Sequence, residues 1–147
     1  MYVNDTLGNQ VTVIDGATNT VEATLPGGNE PDYLSLNAAT NNIYVTDYSG
    51  NAVTIINGAT DATASAAVGG DPTGLALDPL TNLVYTSNQV GTGSAPSGSP
   101  GATISVINGA SNAVQATLTI PGVDGLLAVN PVTNTVYSGD YLSLIHI

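Results

Sequence analysis

The sequence predicts an all-β protein made of blades of four antiparallel strands, arranged as a partial, open β-propeller. Three observations predict this fold: a repeat of about 42 residues, short runs of apolar and β-branched residues, and turns rich in Gly and Asn between the runs. No segment has a helical apolar period longer than a turn or two. Four short strands in each repeat are typical of a propeller blade.

The repeat is clearest at four tyrosines that occupy equivalent positions and are separated by 42, 41 and 52 residues: Tyr2, Tyr44, Tyr85 and Tyr137. A second motif follows the first three tyrosines and combines two apolar residues with a Gly-Ala turn. It occurs at Val13–Asn19, Ile55–Asp61 and Val106–Asn112. Because both motifs recur in the same order, they belong to one structural unit that is repeated along the chain.

The repeat that starts at Pro72 gives the clearest strand pattern. Its predicted first strand is Pro72–Asp78, and the next three are residues 82–87, 102–107 and 113–119, each rich in Val, Ile, Leu or Thr. The segment Asn108–Asn112 is the turn between the last two strands, and it begins with an Asn-Gly pair. Because Asn and Gly both tolerate positive φ, this pair predicts a tight hairpin turn.

Applied to the whole chain, the repeat divides residues 1–140 into propeller blades. Two blades are complete (residues 31–68 and 72–119), and two are partial (residues 1–26 and 125–138). A closed ring needs at least about four blades, and neither end of the sequence has the polar cap that terminal repeats usually carry. We therefore expect the sequence to be a fragment of a longer chain, and to aggregate or oligomerise through its open ends.

Two segments depart from the repeat. Residues 91–101 form a Gly/Ser/Pro-rich insertion, which is either a flexible spacer or a binding loop. Residues 141–147 do not follow the expected turn and third strand. They are interpreted either as a read-through peptide from translated adapter DNA or as a native strand with an altered turn.

Composition restricts the class of partner. The chain has 11 acidic residues, no Lys or Arg and a net charge of −11, which argues against nucleic acid and against anionic membrane surfaces. No apolar run is long enough for membrane insertion. The expected partners are therefore a protein or a glycan, together with further blades of the parent chain. A surface rich in Thr, Asn, Ser and Gly indicates an extracellular, cell-surface or periplasmic location, although no export signal is visible.

Several of these motifs resemble the YVTN-type β-propeller repeat of YncE-like and archaeal surface-layer propellers. The matching segments are Ile43–Thr46, Val13–Val21, Gly69–Pro72 and Asp78–Asn82. The resemblance covers residues 1–140 and implies the propeller fold, but it does not imply one activity, since propellers carry many functions. The departures are at Tyr85 and Tyr137, where the Val of the motif is lost, and in the blade-to-blade loop at residues 121–125, which has no Pro at the position of Pro31 and Pro72.

Seven of the eleven acids are predicted to lie on one rim of the blades, because the loop between strands two and three and the loop between blades open on the same side. They are Asp5, Asp47, Asp140, Glu30, Asp32, Asp71 and Asp124. Clustered carboxylates can hold Ca²⁺, and Asp47, Asp71 and Asp124 are the weak cation candidates. The alternative is that these acids shape turns, as Asp often does.

The tyrosines divide into two groups. The four at the repeated position are predicted to pack between blades. Tyr33 and Tyr48 instead lie near the rim, and together with Glu30 and Asp32 they are the candidates for a ligand-binding face.

The chemistry of the chain favours a non-catalytic interaction or structural module. Catalytic acids, bases and nucleophiles are most often His, Cys or Lys, and here only His146 represents them, in the doubtful tail. No cofactor is predicted. An acid-pair hydrolase would use Asp71 and Asp124. The alternative function is a truncated piece of a propeller enzyme or cofactor-binding propeller whose site residues lie outside these 147 residues.

Overall fold

The computed structural model describes residues 1–89, 102–120 and 125–139. Every regular element in these ranges is a β-strand. The thirteen strands are β1 (Tyr2–Asp5), β2 (Gln10–Asp15), β3 (Thr20–Pro26), β4 (Pro31–Asn37), β5 (Asn42–Asp47), β6 (Ala52–Asn57), β7 (Thr63–Ala67), β8 (Pro72–Asp78), β9 (Leu83–Asn88), β10 (Thr103–Asn108), β11 (Ala113–Thr119), β12 (Leu127–Asn130) and β13 (Thr135–Ser138).

The strands form four antiparallel sheets, here called blades 1 to 4. Blade 1 contains β1–β3, blade 2 contains β4–β7, blade 3 contains β8–β11, and blade 4 contains β12–β13. Strands that are consecutive in the chain are neighbours within each sheet. This arrangement confirms the predicted fold class of four-stranded propeller blades in a partial propeller. In the three described ranges, no helix is long and apolar enough to cross a membrane.

Two of the four strands predicted in blade 3 have the predicted bounds, and the other two begin and end one residue later. β8 and β11 match the prediction, whereas β9 starts at Leu83 and β10 at Thr103. For β9 the cause is local: Asn82 has φ 55° and still belongs to the turn. An asparagine in the left-handed region ends a turn and cannot start an extended strand.

The turn predicted at Asn108–Asn112 joins the antiparallel strands β10 and β11, but neither Asn108 nor Gly109 takes the positive φ that the Asn-Gly pair predicts, because a side chain closes the turn. Asn108 Oδ1 accepts hydrogen bonds from the backbone amides of Ala110 (2.9 Å) and Ser111 (3.2 Å), and Asn112 takes the positive φ of 57°. Such an Asx turn lets the side chain imitate a backbone turn. The positive-φ residue closes each comparable turn at Asn9, Asn19, Asn41, Asn51, Asp61, Asn82 and Asn134.

Among the described residues, the core consists of three apolar clusters, each between two successive blades. Successive side chains of a strand point to opposite faces, so β5 sends Ile43 and Val45 towards blade 1 and Tyr44 towards blade 3. The buried members are Val11, Ile43, Val45 and Ile56 between blades 1 and 2; Tyr44, Val53, Ile55, Ala66, Val84 and Ile107 between blades 2 and 3; and Tyr85, Ile104 and Val106 between blades 3 and 4.

The repeated tyrosines follow this arrangement. Tyr44 and Tyr85 are buried, as predicted, and burial raises the pKa of both phenols. Tyr2 is half-buried against the cluster between blades 1 and 2. Tyr137 is 58% exposed, so the predicted packing between blades is wrong for this residue in the structure. No described strand covers its side of blade 4.

Candidate functional site

The first strands of blades 2, 3 and 4 lie side by side, since β4 contacts β8 and β8 contacts β12. Where these strands begin, at one rim of the blades, they surround an open pocket of ≈ 180 Å³. We call it the rim pocket. It is lined by Asp32, Tyr33, Thr73, Gly74, Gln89, Gly125 and Leu126. Two neighbouring residues come from β4, two come from β8 and two directly precede β12, while Gln89 follows β9, so equivalent positions of the repeat build most of the pocket.

Hydroxyl groups on the second strands hold the first strands in place. Thr46 Oγ1 accepts a hydrogen bond from the Tyr33 amide at 2.8 Å, and at the equivalent position Ser87 Oγ accepts from the Gly74 amide at 2.8 Å. Ser87 Oγ also donates to the Gly125 carbonyl at 3.0 Å, which connects blade 3 to blade 4. These bonds position the pocket walls and join neighbouring blades at the rim.

Gly74 is required by this close approach. A Cβ atom at position 74 would lie 2.6 Å from Ser87 Oγ and 2.9 Å from the Gly125 carbonyl oxygen. Both distances are shorter than a van der Waals contact. The glycine therefore allows blade 3 and blade 4 to meet in the floor of the pocket.

Two of the predicted ligand-face residues, Asp32 and Tyr33, line the pocket. The Tyr33 side chain is 40% exposed and presents an aromatic ring at the rim. Partial burial raises the pKa of the Asp32 carboxyl, because desolvation disfavours its charged form. The pocket thus combines an accessible aromatic surface, a carboxylate and main-chain groups.

The other two candidates, Tyr48 and Glu30, lie beside this pair. The pKa of the Tyr48 phenol is raised first by burial and then by the negative charges of Asp71, Glu30 and Asp32. Three of the predicted rim acids are therefore close enough to act on one phenol. Ser49 Oγ donates a hydrogen bond to Glu30 Oε2, which holds that carboxylate next to the loop carrying Tyr48.

Asparagine side chains of the preceding blade accept hydrogen bonds from the backbone amides of two rim acids. Asn9 Oδ1 accepts from the Glu30 amide at 2.8 Å, and Asn51 Oδ1 accepts from the Asp71 amide at 3.0 Å. Glu30 and Asp71 both have positive φ, of 58° and 50°. The same amide-to-acid bond thus recurs between blades 1 and 2 and between blades 2 and 3.

Asp47, one of the cation candidates, is directed into the loops. Its Oδ1 accepts hydrogen bonds from the Asn29 amide at 2.7 Å and the Gly50 amide at 2.8 Å, and the residue is 9% exposed. This geometry is that of an acid that closes two turns. Within residues 1–89, 102–120 and 125–139, no group of three His, Cys, Asp or Glu residues is arranged to hold a metal ion.

Several predicted features lie outside the described residues. They are Asp124 and Asp140 of the acidic rim, His146, the insertion at residues 91–101 and the tail at residues 141–147. The suggested pair of Asp71 and Asp124 is therefore described at Asp71 only.

Sequence reasoning did not identify Thr73, Gly74, Gln89, Gly125 or Leu126 as pocket residues. The signal that could have found them is the hydroxyl residue two positions after the repeated tyrosine, at Thr46 and Ser87, because it binds the start of the first strand. A polar residue repeated at a core strand position must have a hydrogen-bond partner.

The fold is similar to that of solved β-propeller-type proteins. Kuenenia stuttgartiensis hydrazine synthase has a TM-score of 0.71 and 18% identity, over 86% of this chain and 35% of that chain. A protein of unknown function from Desulfotomaculum acetoxidans has a TM-score of 0.74 and 12% identity, over 88% of this chain and 39% of that chain. The dihydro-heme d1 dehydrogenase NirN in complex with DHE has a TM-score of 0.75 and 11% identity, over 94% of this chain and 29% of that chain.

The chain thus spans between 29% and 39% of the length of these solved structures. The sequence matches no protein-family model and no curated protein. At such low identity a structural likeness shows the fold and carries no activity with it. The chain is a partial β-propeller whose blades build a pocket at one rim.

Proposed function

We propose that this chain is a non-catalytic β-propeller module of a secreted, cell-surface or periplasmic protein, and that it binds a protein or glycan partner at the rim pocket. The observation that carries the proposal is the pocket itself, in which three successive blades surround Asp32 and the exposed ring of Tyr33. Amphipathic tyrosines are frequent at binding surfaces because the ring packs against apolar atoms while the hydroxyl stays hydrated. The carboxylate and main-chain groups beside the ring supply acceptors for hydroxyl or amide donors.

The chemistry around the pocket supports binding more than catalysis. The chain has no Lys, Arg or Cys and a single His, so the usual acid, base and nucleophile types are scarce. Among the rim acids described above, the Asp47 carboxylate closes turns and the Glu30 carboxylate accepts from the Ser49 hydroxyl, while the backbone amides of Glu30 and Asp71 are held by asparagine side chains. Location outside the cytoplasm is supported by the composition, in which only 7% of residues are charged and hydroxyl and amide side chains are frequent.

We also propose that the repeats are of the YVTN type found in YncE-like and surface-layer propellers. The positions of the motif residues support this. Ile43–Thr46 lie in β5, the second strand of blade 2, and Val13–Val21 run from β2 through the following turn into β3. The remaining blades of the parent chain would then be further partners of this segment.

The partner can be sought with an array of neutral oligosaccharides and a library of peptides, both probed with the labelled 147-residue chain. We expect Tyr33→Ala to weaken binding to any captured probe at least tenfold and Asp32→Asn to weaken it less. Tyr137→Ala is the matched control, because Tyr137 is also exposed but lies outside the pocket. Equal losses for Tyr33→Ala and Tyr137→Ala would remove the pocket from the proposal.

The proposal requires no cofactor and assigns the acidic rim to turn formation. The competing interpretation is a Ca²⁺ site near Asp71. The melting temperature in millimolar CaCl₂ is expected to equal that in EDTA. A rise in CaCl₂ that Asp71→Asn abolishes would instead establish a cation site.

The alternative is that the chain is a truncated piece of a propeller enzyme or cofactor-binding propeller. Two of the similar structures carry enzyme names, and one of them is a complex with DHE, which favours keeping this alternative. Extending the reading frame in the source DNA separates the two. Further repeats behind a signal peptide, with anchoring domains, support the surface module, whereas further blades with His or Arg on the rim support the enzyme.

A further inference from the structure

The described carboxylates fall into two groups by their hydrogen bonds. Five accept from a nearby backbone amide or hydroxyl group: those of Asp5, Asp15, Glu30, Asp47 and Asp78. Among the described residues, no donor reaches the carboxylates of Glu22, Asp32, Asp61 and Asp71. Glu22 and Asp61 lie on an exposed outer strand and in an exposed turn, whereas Asp32 and Asp71 lie at the rim. Turn formation therefore does not account for the carboxylates of Asp32 and Asp71.

These two carboxylates lie at the same part of the rim. Asp32 lines the rim pocket, and Asp71 directly precedes β8, which supplies two further lining residues. The pKa of the Tyr48 phenol is raised first by burial and then by the negative charges of Asp71, Glu30 and Asp32. Negative charge is thus concentrated beside the pocket, and two of the three carboxylates are free of hydrogen bonds from the described residues.

The 147 residues supply almost no positive charge to balance this rim. They include no Lys or Arg, and the single His lies at position 146, outside the described residues. An opposite charge within about 4–6 Å stabilises a carboxylate, whereas neighbouring carboxylates disfavour one another. A cation that pairs with Asp32 or Asp71 therefore has to come from elsewhere.

The lining of the rim pocket suits one amphipathic side chain. Because β8 contacts both β4 and β12, the residues of blade 3 lie between those of blades 2 and 4. Tyr33, which is 40% exposed, and Leu126, which is 60% exposed, form apolar walls on the two sides of the polar groups of Thr73 and Gln89. Lys and Arg cover such walls with their apolar stems while the charged head stays among polar groups.

The size of the pocket limits what can enter it. Its volume is ≈ 180 Å³. Pockets that bury drug-sized ligands have about 300–1,000 Å³. The rim pocket therefore has room for a single side chain or a single sugar ring, and the partner's remaining contacts lie on the surface around it.

The choice between a cation and a neutral ligand depends on Asp32. A ligand that fills the pocket removes more water from this carboxylate, which is already partly desolvated. Burying an unpaired charge is unfavourable. A cation pairs with Asp32, gains from the face of the Tyr33 ring, and is attracted by the charges of Asp71 and Glu30. A neutral sugar ring gains nothing from those two charges, so the geometry favours the cation.

We propose that the partner at the rim pocket is a protein that inserts a lysine or arginine side chain into it. The proposal rests on the function proposed above, in which this pocket is the binding site. The cationic head pairs with the Asp32 carboxylate beside the Tyr33 ring, and the stem lies between Tyr33 and Leu126. The polar groups between these walls accept the remaining N–H donors. Asp71 adds attraction at longer range, within the Debye length of about 8 Å at physiological salt.

The first test compares two small probes on the 147-residue chain. N-acetyl-lysine methylamide carries the cation, and N-acetyl-norleucine methylamide is the neutral probe with the same alkyl stem. Amide NMR titrations are expected to show saturable shifts of Tyr33, Gly74 and Leu126 with the lysine probe, and at least tenfold weaker binding of the norleucine probe. Equal binding of the two probes would overturn the proposal.

Variants locate the charge that matters. Asp32→Asn is expected to weaken binding of the lysine probe at least tenfold, and Asp71→Asn two- to threefold. Asp61→Asn is the matched control, because it also removes a carboxylate without a donor but lies in the turn between β6 and β7, away from the pocket. It is expected to leave binding unchanged. All three variants must keep the strand signal in circular dichroism. Equal losses for Asp32→Asn and Asp61→Asn would show attraction by net charge alone and overturn the proposal.

Salt separates ion pairing from apolar contact. Raising the NaCl concentration from about 0.01 M to about 1 M shortens the Debye length from about 30 Å to about 3 Å. Binding of the lysine probe is expected to weaken at least tenfold over this range. Binding that stays constant or strengthens with salt would show that the stem alone is recognised, which contradicts the proposed pairing.

A sugar probe distinguishes failure of this proposal from failure of the pocket as a binding site. The probe is methyl α-glucopyranoside, and the same three amides are followed. Shifts of Tyr33, Gly74 and Leu126 with the sugar but not with the lysine probe would overturn the cation and keep the pocket. If neither probe shifts these amides, both proposals are wrong.

Discussion

The blades in the middle of the chain and those at its ends contain the same repeat but give it different environments. Tyr44 in blade 2 is fully buried, whereas Tyr137 at the equivalent position in blade 4 is 58% exposed. Asp47 in blade 2 accepts two backbone hydrogen bonds, whereas Asp5 in blade 1 accepts one. The residue type therefore decides which element forms, and the neighbouring blade decides how much that residue stabilises the fold.

This difference is what a repeat array should show. Each blade buries its faces against its neighbours, so its stability depends on the contacts at both faces. A terminal blade loses one set of contacts and the stabilisation that goes with it. Substitutions at equivalent positions should consequently have unequal effects, and the inequality measures the contribution of the neighbour.

The largest expected effect is at the repeated tyrosine. Tyr44→Ala should lower the free energy of unfolding by about 3–5 kcal/mol, the usual cost of removing a large aromatic side chain from a core. Tyr137→Ala should change it by less than about 0.5 kcal/mol, as at other surface positions. Urea denaturation followed by tyrosine fluorescence and circular dichroism measures both. Similar losses for the two variants would show that Tyr137 is covered in solution.

The next comparison concerns the two equivalent aspartates. Asp47→Ala removes the carboxylate that accepts from the Asn29 and Gly50 amides. Both partly buried amides then lack this acceptor, which should lower the free energy of unfolding by about 1–3 kcal/mol. Asp5→Ala removes one exposed bond and should cost about 0.5 kcal/mol. Urea midpoints measure both changes. Equal costs for the two variants would contradict the difference in hydrogen bonding between the two aspartates.

The fold class could be predicted from the sequence, because the same pattern of apolar residues and turns recurs in several repeats. Strand positions follow from alternating apolar residues, and β8 has the predicted bounds. The turn at Asn108–Asn112 was predicted at the right place, but its geometry was not, because side-chain capping competes with the Asn-Gly hairpin. The rim pocket was predicted in part, at Asp32 and Tyr33, since loop position and residue type are visible in a sequence. Gly74 and Gly125 could not be predicted, because their role depends on the distance between two blades.

A smaller effect with the opposite sign is expected at Asp78. Its Oδ1 accepts from the Leu80 amide at 2.9 Å, but its Oδ2 is buried with no hydrogen-bond partner. At the equivalent position in blade 2, Asn37 Nδ2 donates to Asn82 Oδ1 of the next blade at 2.8 Å. If Asp78→Asn donates to blade 4 as Asn37 donates to blade 3, it should raise the free energy of unfolding by about 1 kcal/mol, because a buried oxygen without a donor among the described residues is replaced by a paired amide.

The control for Asp78→Asn is Asp61→Asn, which removes one negative charge from an exposed turn. Urea midpoints of the two variants separate a local effect from a general relief of the net charge of −11. A gain that is equal in both variants would mean that only the net charge had mattered.

The smallest expected effects are those of pH on stability, and they differ in sign between Asp32 at the rim and Asp15, whose carboxylate caps a turn. Burial raises the pKa of Asp32, so the folded state binds its proton more readily than the unfolded state, and stability falls as pH rises from the ordinary value of 3.8 through the raised value. Hydrogen bonds from the Ala17 amide and the Thr18 hydroxyl lower the pKa of Asp15. Its contribution is therefore present above 3.8 and is lost as pH falls through the lowered value.

Asp32→Asn should thus stabilise the chain at neutral pH, and Asp15→Asn should destabilise it, with both differences vanishing in strong acid. Carboxyl chemical shifts followed by NMR give the two titration midpoints directly, with Asp32 above Asp15. The Asp32 midpoint also tests the rim pocket, because the rise in its pKa arises from desolvation by the walls around it. An Asp32 midpoint at the ordinary value of 3.8 would mean that the pocket is open to water in solution, and that its carboxylate meets a partner fully hydrated.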